Sequence, residues 1–154
     1  MDRARRLERE RLTLTFEVIG NAKTQGSKTI ATNAHGQSWL REAVAGLKEW
    51  RSLVSTVAES AAWMHKWERI PKDSAVRVDL CFHFVKPKRG AAEYPRRRDI
   101  DKLTRAILDS ITRTTTIWHD DDQVDELHAH KVFCLPGEDE GVEVSVTWFS
   151  ESRG

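Results

Sequence analysis

Two groups of carboxylates lie close together in the central third of the chain. Asp99 and Asp101 are two residues apart, and three consecutive aspartates follow at positions 120–122. Because a short helix and a polar return segment separate the two groups, the chain can bring the second back near the first. Carboxylates gathered at one place repel one another unless a cation compensates their charge. Oxygen ligands without a nearby cysteine or paired histidine favour Mg²⁺ or Mn²⁺ over zinc, and such ions can activate water for attack on a phosphate.

Two residues of this region also have simpler interpretations. Asp99 or Asp101 could be the N-cap of the helix that follows. Arg105 lies one turn after Asp101 on the same helix face, where it could orient an aspartate or stabilise charge on a transition-state phosphate. It could equally form an ordinary ion pair with Asp101. Capping alone does not account for five aspartates in two groups.

The net charge of +1 conceals an uneven distribution. Residues 86–98 carry six basic side chains and one acid, whereas residues 120–126 carry five acids and no base. A basic stretch beside an acidic one suits a protein that holds a polyanion and metal cations together, although two solvated loops would look the same. The candidate phosphate-binding residues are Lys86, Lys88, Arg89, Arg96, Arg97 and Arg98.

Hydrophobic periodicity predicts the elements that must position these side chains. We expect strands and helices in the order strand, helix, strand, helix, strand, strand, at residues 12–19, 40–67, 75–85, 100–113, 124–134 and 141–149. This order predicts a single α/β or α+β domain, residues 12–150, with helices packed on a mixed sheet. Residues 20–38 form a long polar loop with room for a short hairpin, and residues 1–11 a flexible arm.

Several aromatic and sulfur-bearing residues are assigned structural roles. Trp50, Trp63 and Trp67 recur at helical spacing and are expected to pack the first helix against the sheet. Trp118 is expected to be buried rather than to stack on a base. Cys81 and Cys134 lack a metal-binding spacing, so both are expected to be free thiols within strands.

The histidines offer one alternative site. His128 and His130 lie on one face of a predicted strand, and with His119 and the aspartates they could form a binuclear hydrolase centre. The simpler interpretation is two half-exposed strand residues. His83 and His35 stand alone and receive no role.

Composition excludes some classes of protein. Apolar residues make up 39% of the chain and charged residues 32%, which excludes a wholly disordered protein. No apolar run is long enough to span a membrane, and the first residues have no signal-peptide core. The sequence therefore predicts a cytoplasmic protein with no membrane partner.

The pattern RDIDK…ILDSIT…DDDQVDE, within residues 96–127, resembles the signature of the RusA family of Holliday junction resolvases. The polar loop GNAKTQGSK and the long helix that follows are compatible with it. The resemblance implies an α/β endodeoxyribonuclease that needs Mg²⁺ or Mn²⁺ and acts in DNA recombination and repair. It also implies a homodimer that makes paired symmetric nicks in branched DNA. The implied setting is the bacterial nucleoid or a phage-infected cytoplasm.

Carried over by position, the catalytic carboxylates of the family fall on Asp99, Asp101 and Asp121. The DDD run leaves the register ambiguous by one residue. Gln123 and Val124 after it favour Asp120 and Asp121 as the DD pair of the family, with Asp122 in the variable position. Asp120 is then a further candidate metal ligand. The resemblance adds two basic residues to the catalytic set, and both differ from the residue that is usual in the family. Arg105 stands where Lys is usual, and Lys102 stands where Asn is usual.

Two functions from other classes remain as alternatives. One is a metal-dependent phosphohydrolase that acts on a small nucleotide with the same aspartates plus His128 and His130. The basic stretch argues against it, because a small substrate needs few positive charges. The other is a catalytically silent module that binds branched DNA, which the changes at Lys102 and Arg105 would allow.

Overall fold

A computed structural model describes residues 9–26, 28–32, 34–42, 44–90 and 92–151. They form one α+β domain with a four-stranded mixed sheet and two helices, which confirms the predicted fold class. The elements in chain order are β1 (Arg9–Ile19), β2 (Lys28–Thr32), β3 (Ser38–Glu42), α1 (Leu47–Met64), β4 (Val76–Phe84), α2 (Ile100–Thr114), β5 (Val124–Phe133) and β6 (Gly141–Glu151). A 3₁₀ helix, Asp121–Gln123, precedes β5.

The main sheet has the strand order β1-β6-β4-β5. Strand β6 runs antiparallel to both β1 and β4, while β4 and β5 are parallel. Two adjacent parallel strands need a crossover connection, and α2 supplies it. Both carboxylate groups therefore lie on this one crossover, the first where α2 begins and the second where the chain re-enters the sheet.

The core lies between the helices and one face of the sheet. Along β4, buried residues alternate with partly exposed ones, as its sequence predicts. Leu103, Ile107 and Ile111 of α2 are fully buried in the same cluster as the apolar side chains of β4. Alternation places Arg77, Asp79, Cys81 and His83 on the opposite, polar face of the sheet.

The predicted start of the first helix is wrong. Residues 38–42 form β3, which pairs with β2 in a separate hairpin, and α1 begins only at Leu47. Gly46 precedes it with a left-handed φ of 81°, so the backbone turns there instead of continuing a helix. The few apolar residues in this stretch fit both the helical and the strand period, which explains the error. The first helix also ends at Met64, three residues before the predicted end at 67, and β1 begins three residues before the predicted start at 12. The other predicted strands and the second helix are confirmed within two residues.

The tryptophans differ in how far they are buried. Trp50 is buried in the core, and Trp67 is half-buried, with its Nε1 donating to the carbonyl of Ile117 at 3.2 Å. Trp118 is fully buried, as expected. Trp63 is 83% exposed, so its predicted packing role is wrong.

Both cysteines are free thiols, as expected. Cys81 lies in β4, but Cys134 lies one residue beyond β5, outside the strand predicted for it. Strand β1 already begins at Arg9, and residues 1–8 of the predicted arm lie outside the described residues. In the part of the chain that the structure describes, no helix has the length and apolar character needed to cross a bilayer.

Candidate active site

The first carboxylate group marks the start of α2. Asp99 occupies the N-cap position, and its carbonyl accepts the first helical hydrogen bond from Leu103 at 3.0 Å. Its side chain makes no capping hydrogen bond and is 67% exposed, with the Lys102 ammonium 3.5 Å away. Asp101 is exposed in the first turn. Capping therefore does not account for either carboxylate.

The second group is a crowded cluster of carboxyls. Asp121 is half-buried at the start of the 3₁₀ helix. Burial raises the pKa of its carboxyl to about 6, with further contributions from the hydrogen bonds and negative charges of Asp120 and Asp109. Asp109 lies in the third turn of α2, and sequence reasoning did not select it. Only its place in the ILDSIT motif pointed to it.

Gln123 fixes the position of this cluster. It is buried, and its Oε1 accepts from the backbone amides of His119 at 2.7 Å and Asp120 at 3.1 Å. Its Nε2 donates to the carbonyls of Pro71 and Ser74 at 2.9 and 3.1 Å. One side chain thus ties the aspartate run to the turn that precedes β4.

The polar loop after β1 crosses α2 between the two carboxylate groups. The backbone amide of Gln25 donates to the carbonyl of Lys102 at 3.0 Å, and its Nε2 donates to Oδ2 of Asp109. Gly26 has a φ of +116°, and a Cβ there would lie 2.7 Å from Nη1 of Arg105. The loop therefore positions both Arg105 and Asp109, a role that its sequence did not reveal beyond its length.

The structure does not bring all the predicted ligands into one compact set. Asp121 meets Asp109, and Asp109 lies two turns along α2 from Asp101, about 12 Å along the helix axis. Among the described residues, no three of the aspartates have carboxylate oxygens that all lie within 4.8 Å of one another. Among the residues that the structure describes, Arg105 forms no ion pair with Asp101. The simpler interpretation of Arg105, as one half of a helical ion pair, is therefore wrong.

The basic stretch borders a cleft of about 420 Å³ at the end of β4. Its walls combine aromatic side chains with arginines: Phe84, Tyr94, Phe133, Arg89, Arg96, Arg97 and Arg98. Lys86, Lys88, Arg89, Arg96 and Arg97 are exposed, as phosphate-binding residues must be.

Arg98 differs from its neighbours because the fold already engages it. Its Nη2 donates to Oδ1 of Asn21 at 2.8 Å, and its guanidinium lies 5.0 Å from the centre of the Phe84 ring. Its carbonyl accepts a hydrogen bond from Lys131 at 2.7 Å. Arg98 therefore anchors the backbone immediately before Asp99.

The histidines do not join the aspartates. Nε2 of His128 lies 3.2 Å from Glu126, while His119 and His130 are exposed. In the described segments, none of the three belongs to a group with metal-ligand spacing, so the geometry gives the binuclear centre no support.

A family model described as Endodeoxyribonuclease RusA matches residues 20–147. The chain belongs to the RusA endodeoxyribonuclease family. The match in this RusA-family chain includes the Gln25 loop, α2 and both carboxylate groups, and it confirms the resemblance noted for residues 96–127. No curated protein matches the chain.

The donor set of this RusA-family site fits a divalent cation. All the candidate ligands are carboxylate oxygens, which hard cations such as Mg²⁺ prefer. Asp121 carries a raised pKa because its charged form is buried beside two other carboxyls, and a bound cation would reverse that penalty. The chemistry of the residues fits even though the carboxylates are not preassembled.

Proposed function

We propose that this protein is a divalent-metal-dependent endodeoxyribonuclease that resolves Holliday junctions during DNA recombination and repair. Asp99, Asp101, Asp120 and Asp121 would hold Mg²⁺ or Mn²⁺. The observation that carries the proposal is the meeting of three carboxyls, those of Asp109, Asp120 and Asp121, in a chain of the RusA family. Asp109 lies in the third turn of the helix that begins with the Asp99–Asp101 pair, and burial together with this crowding raises the pKa of Asp121.

Bound metal would supply an activated water and neutralise charge on the scissile phosphate. The residues of the chain have separate tasks. Gln25 holds the carboxylate of Asp109 and so orients the side of the cluster next to Asp121. Arg105, held against Gly26, contributes a fixed positive charge for a phosphate oxygen. Lys102 can donate a proton to the departing sugar oxygen, which an arginine does poorly.

The exposed cations of residues 86–97 would bind the DNA backbone, and Arg98 would hold the stretch in place. A two-fold homodimer would present two such sites to a two-fold symmetric junction, so that both nicks are made alike. The proposed setting is the bacterial nucleoid or a phage-infected cytoplasm.

A comparison of three substrates tests the proposal. Wild-type protein is incubated with a labelled four-way junction, a linear duplex of the same sequence or a small nucleotide phosphodiester, each with Mg²⁺, with Mn²⁺ or with chelator. Paired symmetric nicks restricted to the junction, and only with metal, are expected. Tight junction binding without nicks would indicate the silent binding module. Cleavage of the small nucleotide alone would indicate the phosphohydrolase.

A further inference from the structure

The polar face of the sheet brings a thiol, an imidazole and a carboxylate together. Cys81 and His83 are two residues apart on β4 and so share one face. Strand β6 runs antiparallel beside β4 and places Glu143 directly opposite Cys81. Ligand atoms of these three residues all lie within 4.8 Å of one another. The strand register therefore assembles the group.

The imidazole of His83 lacks ordinary hydrogen bonds. Its side chain is 15% exposed, and both ring nitrogens are buried without a hydrogen-bond partner among the described residues. Nε2 lies 3.4 Å from Oε1 of Glu143. Nδ1 contacts Oε1 of Glu138, although the two are not aligned as a hydrogen bond. The ring therefore has a carboxylate on each side, and the Cys81 thiol lies within 4.8 Å of the ligand atoms of both His83 and Glu143.

We propose that Cys81, His83 and Glu143 bind a transition-metal ion of the zinc class, with Glu138 orienting the imidazole through Nδ1. Thiolate, imidazole and carboxylate are the three ligand types that Zn²⁺ takes in proteins. A carboxylate on the second ring nitrogen is the usual partner of a metal-binding histidine. As the Sγ–metal bond forms, the thiol proton passes to solvent.

This site differs from the aspartate cluster in place and in chemistry. The aspartates lie on the α2 crossover, and α2 packs on the apolar face of β4, whereas Cys81 and His83 lie on the opposite face. Sulfur and nitrogen donors select zinc-class ions, while oxygen donors alone select Mg²⁺ or Mn²⁺. Metal at the new site would link β4 to β6 and to the turn that contains Glu138. It is independent of the proposed nuclease function.

Cobalt absorption tests the site, since only a thiolate ligand gives a sulfur-to-Co²⁺ charge-transfer band. The reduced full chain is titrated with Co²⁺ in excess Mg²⁺, which occupies the oxygen sites, and Zn²⁺ is then added. One ion per chain, a charge-transfer band and its loss on Zn²⁺ addition are expected. The band should vanish in Cys81→Ser and persist in Cys134→Ser, the matched control. Glu138→Gln should weaken Zn²⁺ binding about 10- to 100-fold.

A second measurement needs no variant and so does not depend on how the variants fold. Zn²⁺ should slow alkylation of Cys81 in the wild-type chain, measured by peptide mass spectrometry, and leave Cys134 unchanged. The proposal is overturned if wild type gives no charge-transfer band, if Cys81→Ser keeps the band, or if Zn²⁺ leaves the alkylation of Cys81 unchanged.

Discussion

Asp109 on α2 and Asp121 at the start of the 3₁₀ helix meet through their carboxyl groups, and the contact helps to raise the pKa of Asp121 to about 6. The two residues lie on either side of the return segment that leads from α2 to β5. Their meeting joins the helix that begins at Asp99 to the acidic run.

The stability of the metal-free protein should depend on the ionisation of Asp121. Its folded pKa is about 6 against an ordinary value of 3.8, so the folded state binds the proton more tightly. This contribution is fully present below pH 3.8 and is lost as the pH rises through about 6. Asp121→Asn should therefore gain unfolding free energy relative to wild type between about pH 4 and pH 7.

Urea unfolding in chelator at both pH values measures this gain. Asp122→Asn is the matched control, because Asp122 is the exposed neighbour in the same run. An equal pH dependence for wild type and Asp121→Asn would show that the Asp121 carboxyl is not crowded as described.

Gly26→Ala should displace Arg105 and slow junction cleavage. The added Cβ would lie 2.7 Å from Nη1, and the φ of +116° suits glycine, so we also expect a loss of roughly 1–3 kcal/mol in unfolding free energy. Gly36→Ala is the control, because Gly36 has a φ of +77° but open space around it. Cleavage rates and urea unfolding are measured for both. Equal cleavage by Gly26→Ala and Gly36→Ala would remove Arg105 from the proposed chemistry.

Periodicity predicted most of the fold because most of its elements have one apolar face. The strict alternation of β4 fits only a strand, and the apolar stripe of α2 fits only a helix. Residues 38–42 were misread because their partner is another short strand, and pairing with it overrides a few apolar positions. The exposure of Trp63 could not be predicted, since it depends on how α1 sits on the sheet.

Gln123→Ala should destabilise the fold by about 2–3 kcal/mol, because four hydrogen bonds from one buried side chain are lost. Gln123→Glu keeps an acceptor for the amides of His119 and Asp120, but it turns a buried carboxylate oxygen toward the carbonyls of Pro71 and Ser74. Urea unfolding at pH 7 should therefore rank wild type above both variants, with Glu no more stable than Ala. If alanine costs nothing, Gln123 does not hold the aspartate run.

The arginines before α2 should separate into two kinds. Junction binding should weaken less steeply with salt when Arg96 and Arg97 are both replaced by alanine. The slope of log K against log salt concentration should become less negative by about two, with little change in stability. Arg98→Ala should instead cost about 1–3 kcal/mol of stability, through the lost contacts with Asn21 and Phe84. An unchanged salt slope in the double variant would make Arg96 and Arg97 ordinary surface charges.

The site was only partly predictable for a similar reason. Asp99, Asp101 and the acidic run stand out by spacing, whereas Asp109 looks like one polar residue in a helix until the return segment places Asp121 beside it. Gln25 is likewise 84 residues from the carboxylate it holds. His83 received no role because its neighbour Glu143 comes from another strand, and only the register of β4 and β6 joins them.

Metal-dependent cleavage of a four-way junction by Asp101→Asn, beside wild type and Asp122→Asn, tests the central claim most directly. Asp101→Asn should bind the junction as wild type does. It should cleave at least about a hundredfold more slowly, because it loses several kcal/mol of metal-borne charge stabilisation. Asp122→Asn should cleave normally. The assignment of the nuclease site to this carboxylate cluster would be contradicted if Asp101→Asn cleaved the junction at the wild-type rate. It would also be contradicted if Asp101→Asn and Asp122→Asn lost equal amounts of cleavage activity.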